Sequence, residues 1–129
     1  MELNTILHVE DDESIRVIVE MSLVDLLGFT LFSFDNGKDA SAAVEGLQPD
    51  LILLDAMMPS MDGLQTLAEI RKIPSCQSIP VVFMTARVQQ SEKKQYLEAG
   101  AVAVIEKPFD AANLGNELLS IYDQCHQGV

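Results

Sequence analysis

Five short apolar runs recur about 20 to 30 residues apart along the chain: Thr5 to Val9, Phe29 to Phe34, Leu51 to Leu54, Val81 to Met84 and Val102 to Ile105. Each has the length of a strand, and between them the apolar residues change to a spacing of three and four. Ile15, Ile18, Val19, Leu23 and Leu26 follow the first run, and Ala40, Ala43, Val44 and Leu47 follow the second. Leu64, Leu67 and Ala68 follow the third, and Leu114, Leu118, Ile121 and Tyr122 follow the last. Side chains at that spacing share one helix face, so strands alternate with amphipathic helices. Gly28 and Gly100 stand where C-terminal helix stops belong. The segment Val88 to Ala99 is mostly polar, with Tyr96 and Leu97 its only large apolar residues after Val88. It is predicted to be the least firmly packed helix.

Strict alternation of this kind implies parallel pairing through right-handed crossovers, with helices on both faces of an α/β sheet. The chain has 129 residues, 48% of them hydrophobic, enough to bury roughly two thirds of the unfolded surface without disulfides or a structural metal. We expect one domain over residues 1–129, with a core from about 5 to 122. There is no repeat, no linker-like tract and no apolar run near the ~18 residues that span a bilayer. The opening Met1-Glu2-Leu3-Asn4 has no basic stretch before an apolar one, so a cytoplasmic location is expected. With 8 basic and 20 acidic residues the formal charge is −12, which repels nucleic-acid backbones and anionic membranes. Cys76 and Cys125 have no partner spacing for zinc or redox work.

In an open parallel sheet, ligands bind beyond the carboxyl ends of the strands. Those ends carry Glu10, Asp11 and Asp12 after the first run, Asp55 after the third, Thr85 after the fourth and Lys107 after the fifth. Where the first and third strands are neighbours, Glu10, Asp11 and Asp55 share a small volume. Two such charges about 5 Å apart at an effective dielectric near 20 repel by roughly 3 kcal/mol, so the cluster calls for a cation or for protons. An all-oxygen site with room for water suits Mg²⁺ or Mn²⁺, and a divalent ion together with Lys107 would balance three carboxylates.

These pieces, in this order, resemble the receiver domain of bacterial response regulators. The resemblance is carried by Ile6-Leu7-His8-Val9-Glu10-Asp11-Asp12, Pro49-Asp50-Leu51-Ile52-Leu53-Leu54-Asp55, Met58-Pro59-Ser60-Met61-Asp62-Gly63, Met84-Thr85-Ala86 and Glu106-Lys107-Pro108-Phe109. It covers about Thr5 to Tyr122 and implies a flavodoxin-like, doubly wound five-stranded sheet in the order 2-1-3-4-5. It further implies that Asp55 is the phosphoacceptor, fed by a sensor histidine kinase, a histidine phosphotransfer protein or a small phosphodonor. Glu10, Asp11, Asp55 and the backbone carbonyl of Met57 would hold Mg²⁺, or Mn²⁺, while Lys107 and Thr85 would bind phosphoryl oxygens. Asp12 is then the cap of the first helix and Gly63 permits close approach of the third helix. The resemblance implies a cis Lys107-Pro108 bond. It also implies no turnover chemistry beyond the domain's own phosphorylation and dephosphorylation.

Two departures stand out. The family usually carries an aromatic residue three before the lysine, where this chain has Val104. Met57 and Arg87 occupy positions that modulate attack of water on the acyl phosphate, and an apolar Met57 cannot orient that water. The signal is expected to leave through the Val88–Ala99 and Asp110–Tyr122 face, to a protein target or a homodimer formed on phosphorylation, with no output domain among these residues.

Competing readings are weaker. A flavin carrier of the same architecture needs a phosphate loop where this chain has Glu10-Asp11-Asp12-Glu13. An aspartyl-phosphate hydrolase would have a second aspartate two residues after Asp55, where Met57 stands. The strongest rival is a degenerate receiver acting as a phosphorylation-independent interaction module, although no acceptor, metal-site or lysine position is missing. His8, amid apolar neighbours, is read as a packed core residue, and His126 and the methionines are given no role.

Overall fold

The structure is a computed structural model that describes residues 2–58, 61–86 and 89–126. Five parallel strands, β1 (Thr5–Val9), β2 (Thr30–Phe34), β3 (Leu51–Asp55), β4 (Val81–Thr85) and β5 (Ala103–Glu106), form one sheet. Their order is β2-β1-β3-β4-β5, the expected one. The helices are α1 (Glu13–Glu20), α2 (Gly37–Leu47), α3 (Gly63–Arg71), α4 (Gln90–Glu98) and α5 (Leu114–His126). A π-helical turn at Met21–Asp25 prolongs α1, and a short 3₁₀ turn at Pro74–Cys76 precedes β4. Gly28 and Gly100 take φ values of +74° and +113°, the left-handed geometry that ends a helix at low cost only with glycine.

Alternation along each strand divides the interior into two cores. Leu7, Val9, Ile52, Leu54, Val81 and Phe83 meet Ala40, Val44, Leu67, Ile70 and Tyr96 of α2, α3 and α4. Ile6, Leu51, Leu53, Val82, Met84 and Ile105 meet Val19, Leu23, Leu114, Leu118 and Tyr122 on the side of α1 and α5. The central strands β3 and β4 are buried along their whole length because helices cover both faces. The same parity sends His8 and Asp55 toward the α1/α5 side and Thr85 toward the side of α4.

The first helix departs from its expected stripe. Val19, Ser22 and Leu23 are buried, but Val17, Ile18, Met21, Leu26 and Leu27 are exposed. The apolar arc of this segment is wider than one buried face, and the π turn rotates the register of everything after Glu20. In α3, Ala68 is exposed, and Thr66 and Ile70 are buried instead. Helix α4 is as loosely built as its composition predicts: Tyr96 is its one buried residue, stacked on Phe83 with ring centroids 4.7 Å apart.

Candidate functional site

The site is assembled at the carboxyl edge of the sheet, where β1 and β3 lie side by side and their chains depart in opposite directions. Register pairs Val9 with Leu54, which brings Glu10 and Asp55 to the same level. Both carboxylates are almost wholly covered, at 1% and 3% exposure, and Asp11 is exposed. One oxygen from each of Glu10, Asp11 and Asp55 lies within 4.8 Å of the other two. Lys107 reaches in from the end of β5, with Nζ donating to Glu10 Oε1 at 2.7 Å and to Asp55 Oδ1 at 3.2 Å. Its own backbone N–H donates to the carbonyl of Thr85 at 2.9 Å, and the bond to Pro108 is cis.

Local structure fixes each participant. Asp12 caps α1, accepting from the Ser14 N–H at 2.8 Å, so the turn bearing Glu10 and Asp11 runs directly into a helix. The Met57 N–H donates to Asp55 Oδ1 at 3.2 Å, and the Met57 side chain is 58% exposed beside it. A capping box between Asp62 and Gln65 starts α3. A β-carbon at Gly63 would stand 2.6 Å from the Asp55 carbonyl oxygen and 2.6 Å from Phe83 Cε1. Glycine is what lets α3 start against the acceptor strand.

The electrostatics follow from burial. The Glu10 carboxyl is pushed up to about 8 by burial and by the facing Asp55, against the pull of Lys107. Lys107 is held above the ordinary lysine value: burial alone would lower it, but its bond to Glu10 and the charges of Asp55 and Glu10 outweigh that. One lysine thus answers two buried carboxylates, and the excess negative charge favours uptake of a proton. The buried donor set, all oxygen and short of one positive charge, fits a hard divalent cation.

Thr85 is buried at the end of β4, and its backbone supports Lys107 as above. His8 lies beneath Glu10, fully buried, and among the described residues neither ring nitrogen has a hydrogen-bond partner. Burial, with the charges of Lys107 and Arg16, lowers its pKa to about 3, so it is neutral, the packed core residue expected. Val104 is half-buried against the α2/α3/α4 core. Arg87, Val88, Pro59 and Ser60, all singled out in the sequence, lie outside the described residues.

The family described as the response regulator receiver domain matches residues 6–119. The chain belongs to the response regulator receiver family. This receiver is 32% identical over 117 residues to the phosphate regulon transcriptional regulatory protein PhoB of Pseudomonas aeruginosa, with 91% of this chain and 51% of that protein covered. It is 35% identical over 122 residues to the DNA-binding transcriptional regulator NtrC of Salmonella typhimurium, covering 92% of this chain and 25% of that one. The receiver therefore spans about half the length of the first relative and a quarter of the second. Among solved structures, the chemotaxis protein CheY4 of Vibrio cholerae superposes with a TM-score of 0.86 at 26% identity, over 92% of this chain and 98% of that one. No helix among the receiver's described residues is long and apolar enough to cross a membrane.

Two features of the site are not in the motifs. The exposed Ile18 lines a cavity of about 320 Å³ with Ile15, Ala86, Lys107, Pro108 and Phe109. It also lines one of about 280 Å³ with Met21, Ser22, Leu26 and Ala111. An apolar lip therefore borders Lys107. Its sequence signal is the surplus of apolar residues at 17, 18 and 21, more than one helix face can bury. The second feature is Arg16, whose Nη1 donates to the Glu10 carbonyl at 2.7 Å, and it gives no motif signal at all.

Proposed function

We propose that Asp55 accepts a phosphoryl group from a phosphohistidine on a sensor histidine kinase or a histidine phosphotransfer protein. A carboxylate oxygen of Asp55 attacks phosphorus, the P–N bond breaks, and the imidazole leaves. The observation that carries this reading is the convergence of Glu10, Asp11, Asp55 and Lys107. Glu10, Asp11, Asp55 and the Met57 carbonyl would hold Mg²⁺, or Mn²⁺ in its place. When bound, the ion would neutralise the carboxylates and the incoming phosphoryl oxygens. Lys107 then turns from Glu10 and Asp55 to a phosphoryl oxygen as a point charge, and the Thr85 hydroxyl donates to another. The domain's catalysis is confined to its own phosphorylation and dephosphorylation. The apolar lip around Ile18 receives the protein donor, since anything seated there lies beside Lys107.

Phosphorylation replaces one carboxylate charge by about −1.5 to −2 and draws Thr85 and Lys107 inward. Phe83, two residues before Thr85 on the same side of β4, carries Tyr96 on its ring. Helix α4, attached by that one buried side chain, therefore has little to hold it in place. The Gln90–Glu98 helix and the neighbouring α5 form the surface read by a protein target or by a second copy, in the cytoplasm and without direct nucleic-acid contact. The unit that does this is a single receiver domain.

Intact mass after incubation with acetyl phosphate tests the proposal, with and without Mg²⁺, on wild type and Asp55→Asn. A Mg²⁺-dependent gain of one phosphoryl group, absent from the variant, is the expected result. No gain in a folded sample, together with indifference to beryllofluoride, would overturn it in favour of an interaction module that works without phosphorylation.

A further inference from the structure

Asp11 is the least constrained member of the acidic cluster. It is exposed, and among the described residues its carboxylate makes no hydrogen bond or ion pair. Glu10 is fixed at every polar group: its N–H donates to the Phe34 carbonyl at 2.9 Å, and its carboxylate accepts from Lys107 at 2.7 Å and from the Asp12 N–H at 3.3 Å. Its carbonyl accepts from Arg16 Nη1 at 2.7 Å. That carbonyl belongs to the planar peptide unit joining Glu10 to Asp11, so its orientation sets where the Asp11 Cα stands and from where its carboxylate must reach. Arg16 is itself anchored one helical turn into α1, its backbone N–H donating to the Asp12 carbonyl at 3.0 Å. The half-buried guanidinium thus ties the helix that Asp12 caps to the one peptide unit between two metal-site carboxylates.

We infer that Arg16 is a positioning residue for the metal site, holding the Glu10–Asp11 peptide so that both carboxylates face the cation. This rests on the proposed metal-binding reading of Glu10, Asp11 and Asp55. The sign of the effect separates positioning from charge. A guanidinium near a cation site opposes binding by Coulomb repulsion, so removing its charge alone would tighten Mg²⁺ binding. Removing a clamp on the ligands weakens binding instead.

Calorimetric titration of Mg²⁺ into the unphosphorylated protein reads this without any turnover. Arg16→Gln is expected to weaken Mg²⁺ binding about tenfold, the low end of what partners of metal ligands contribute. Arg16→Lys keeps the charge, but its Nζ ends one bond short of the Nη1 that reaches the Glu10 carbonyl, and it is expected to weaken binding at least as much. In both variants, acetyl-phosphate labelling recovers to the wild-type extent once Mg²⁺ is raised to saturation, which a collapsed site would not allow. Thermal melts and the Asp11 and Asp12 amide resonances report whether the fold and the turn survive. Unchanged or tighter Mg²⁺ binding in Arg16→Gln would overturn the inference and leave the metal site itself standing. A wild type that binds no Mg²⁺ would overturn both.

Discussion

Metal binding at the proposed site should expel a proton. The Glu10 carboxyl, raised to about 8 by burial and by Asp55, is mostly protonated at pH 7, and a cation ligand must be ionised. Binding at pH 7 should therefore release close to one proton, and the apparent Kd should fall about ninefold between pH 6 and pH 7. Between pH 8 and pH 9, where Glu10 ionises unaided, the change should be less than about twofold. Calorimetry of Mg²⁺ binding in two buffers of different ionisation enthalpy gives the proton count directly, and a pH series gives the slope. Glu10→Gln should bind more weakly but with a flat pH profile over the same range. A wild-type Kd that is level from pH 6 to 8, with no proton released, would refute the argument that burial and like charge leave this pair one positive charge short.

Other consequences follow from named contacts. Met57→Asn should shorten the lifetime of the phosphorylated state several-fold, read by intact mass after donor removal, because a polar side chain beside Asp55 can orient the attacking water. Gly63→Ala should cost about 1 to 3 kcal/mol in urea unfolding, since the added carbon meets backbone at Asp55 and Ala56. Gly115→Ala, which meets side-chain atoms of Leu27 and Leu23 and no backbone, should cost less. Ile18→Asp should slow transfer from a protein donor at least about tenfold, equivalent to 1.4 kcal/mol, while leaving acetyl-phosphate labelling unchanged. In metal-free protein, His8 and Glu10 act on stability with opposite signs. His8, lowered to about 3, makes stability fall as pH drops below about 6.5, where the unfolded histidine takes up its proton. Glu10, raised to about 8, makes stability fall as pH rises from about 4.5 to 8. The two offset between about 4.5 and 6.5, so His8→Val should replace a nearly flat profile there by a loss of about 1.4 kcal/mol per pH unit with rising pH. Urea midpoints at pH 5 and pH 6 check this.

The alternation of strand-length and helix-length apolar patterns was legible because period and length are properties of the chain alone. The five strands lie within one or two residues of the apolar runs, with β2 starting at Thr30 and β5 at Ala103. The strand-end chemistry was equally legible, since parallel crossovers force Glu10, Asp11, Asp55 and Lys107 onto one edge. What α1 does was not. Ile18 and Leu26 share a spacing with Val19 and Leu23, and a periodic pattern cannot say which side of a wide apolar arc meets the sheet. The π turn at Met21–Asp25, which settles it, has no composition signature. Arg16 was hidden for a different reason: its contact is to a backbone carbonyl, and any residue type could have supplied that carbonyl.

Reduction of the acyl phosphate with borohydride tests the central claim most directly. Protein labelled by acetyl phosphate and Mg²⁺, reduced and digested, should carry homoserine at position 55 and at no other aspartate. Homoserine at Asp11 or elsewhere, or a phosphoryl group that survives acid as a serine or threonine ester would, contradicts the assignment of Asp55 as the acceptor.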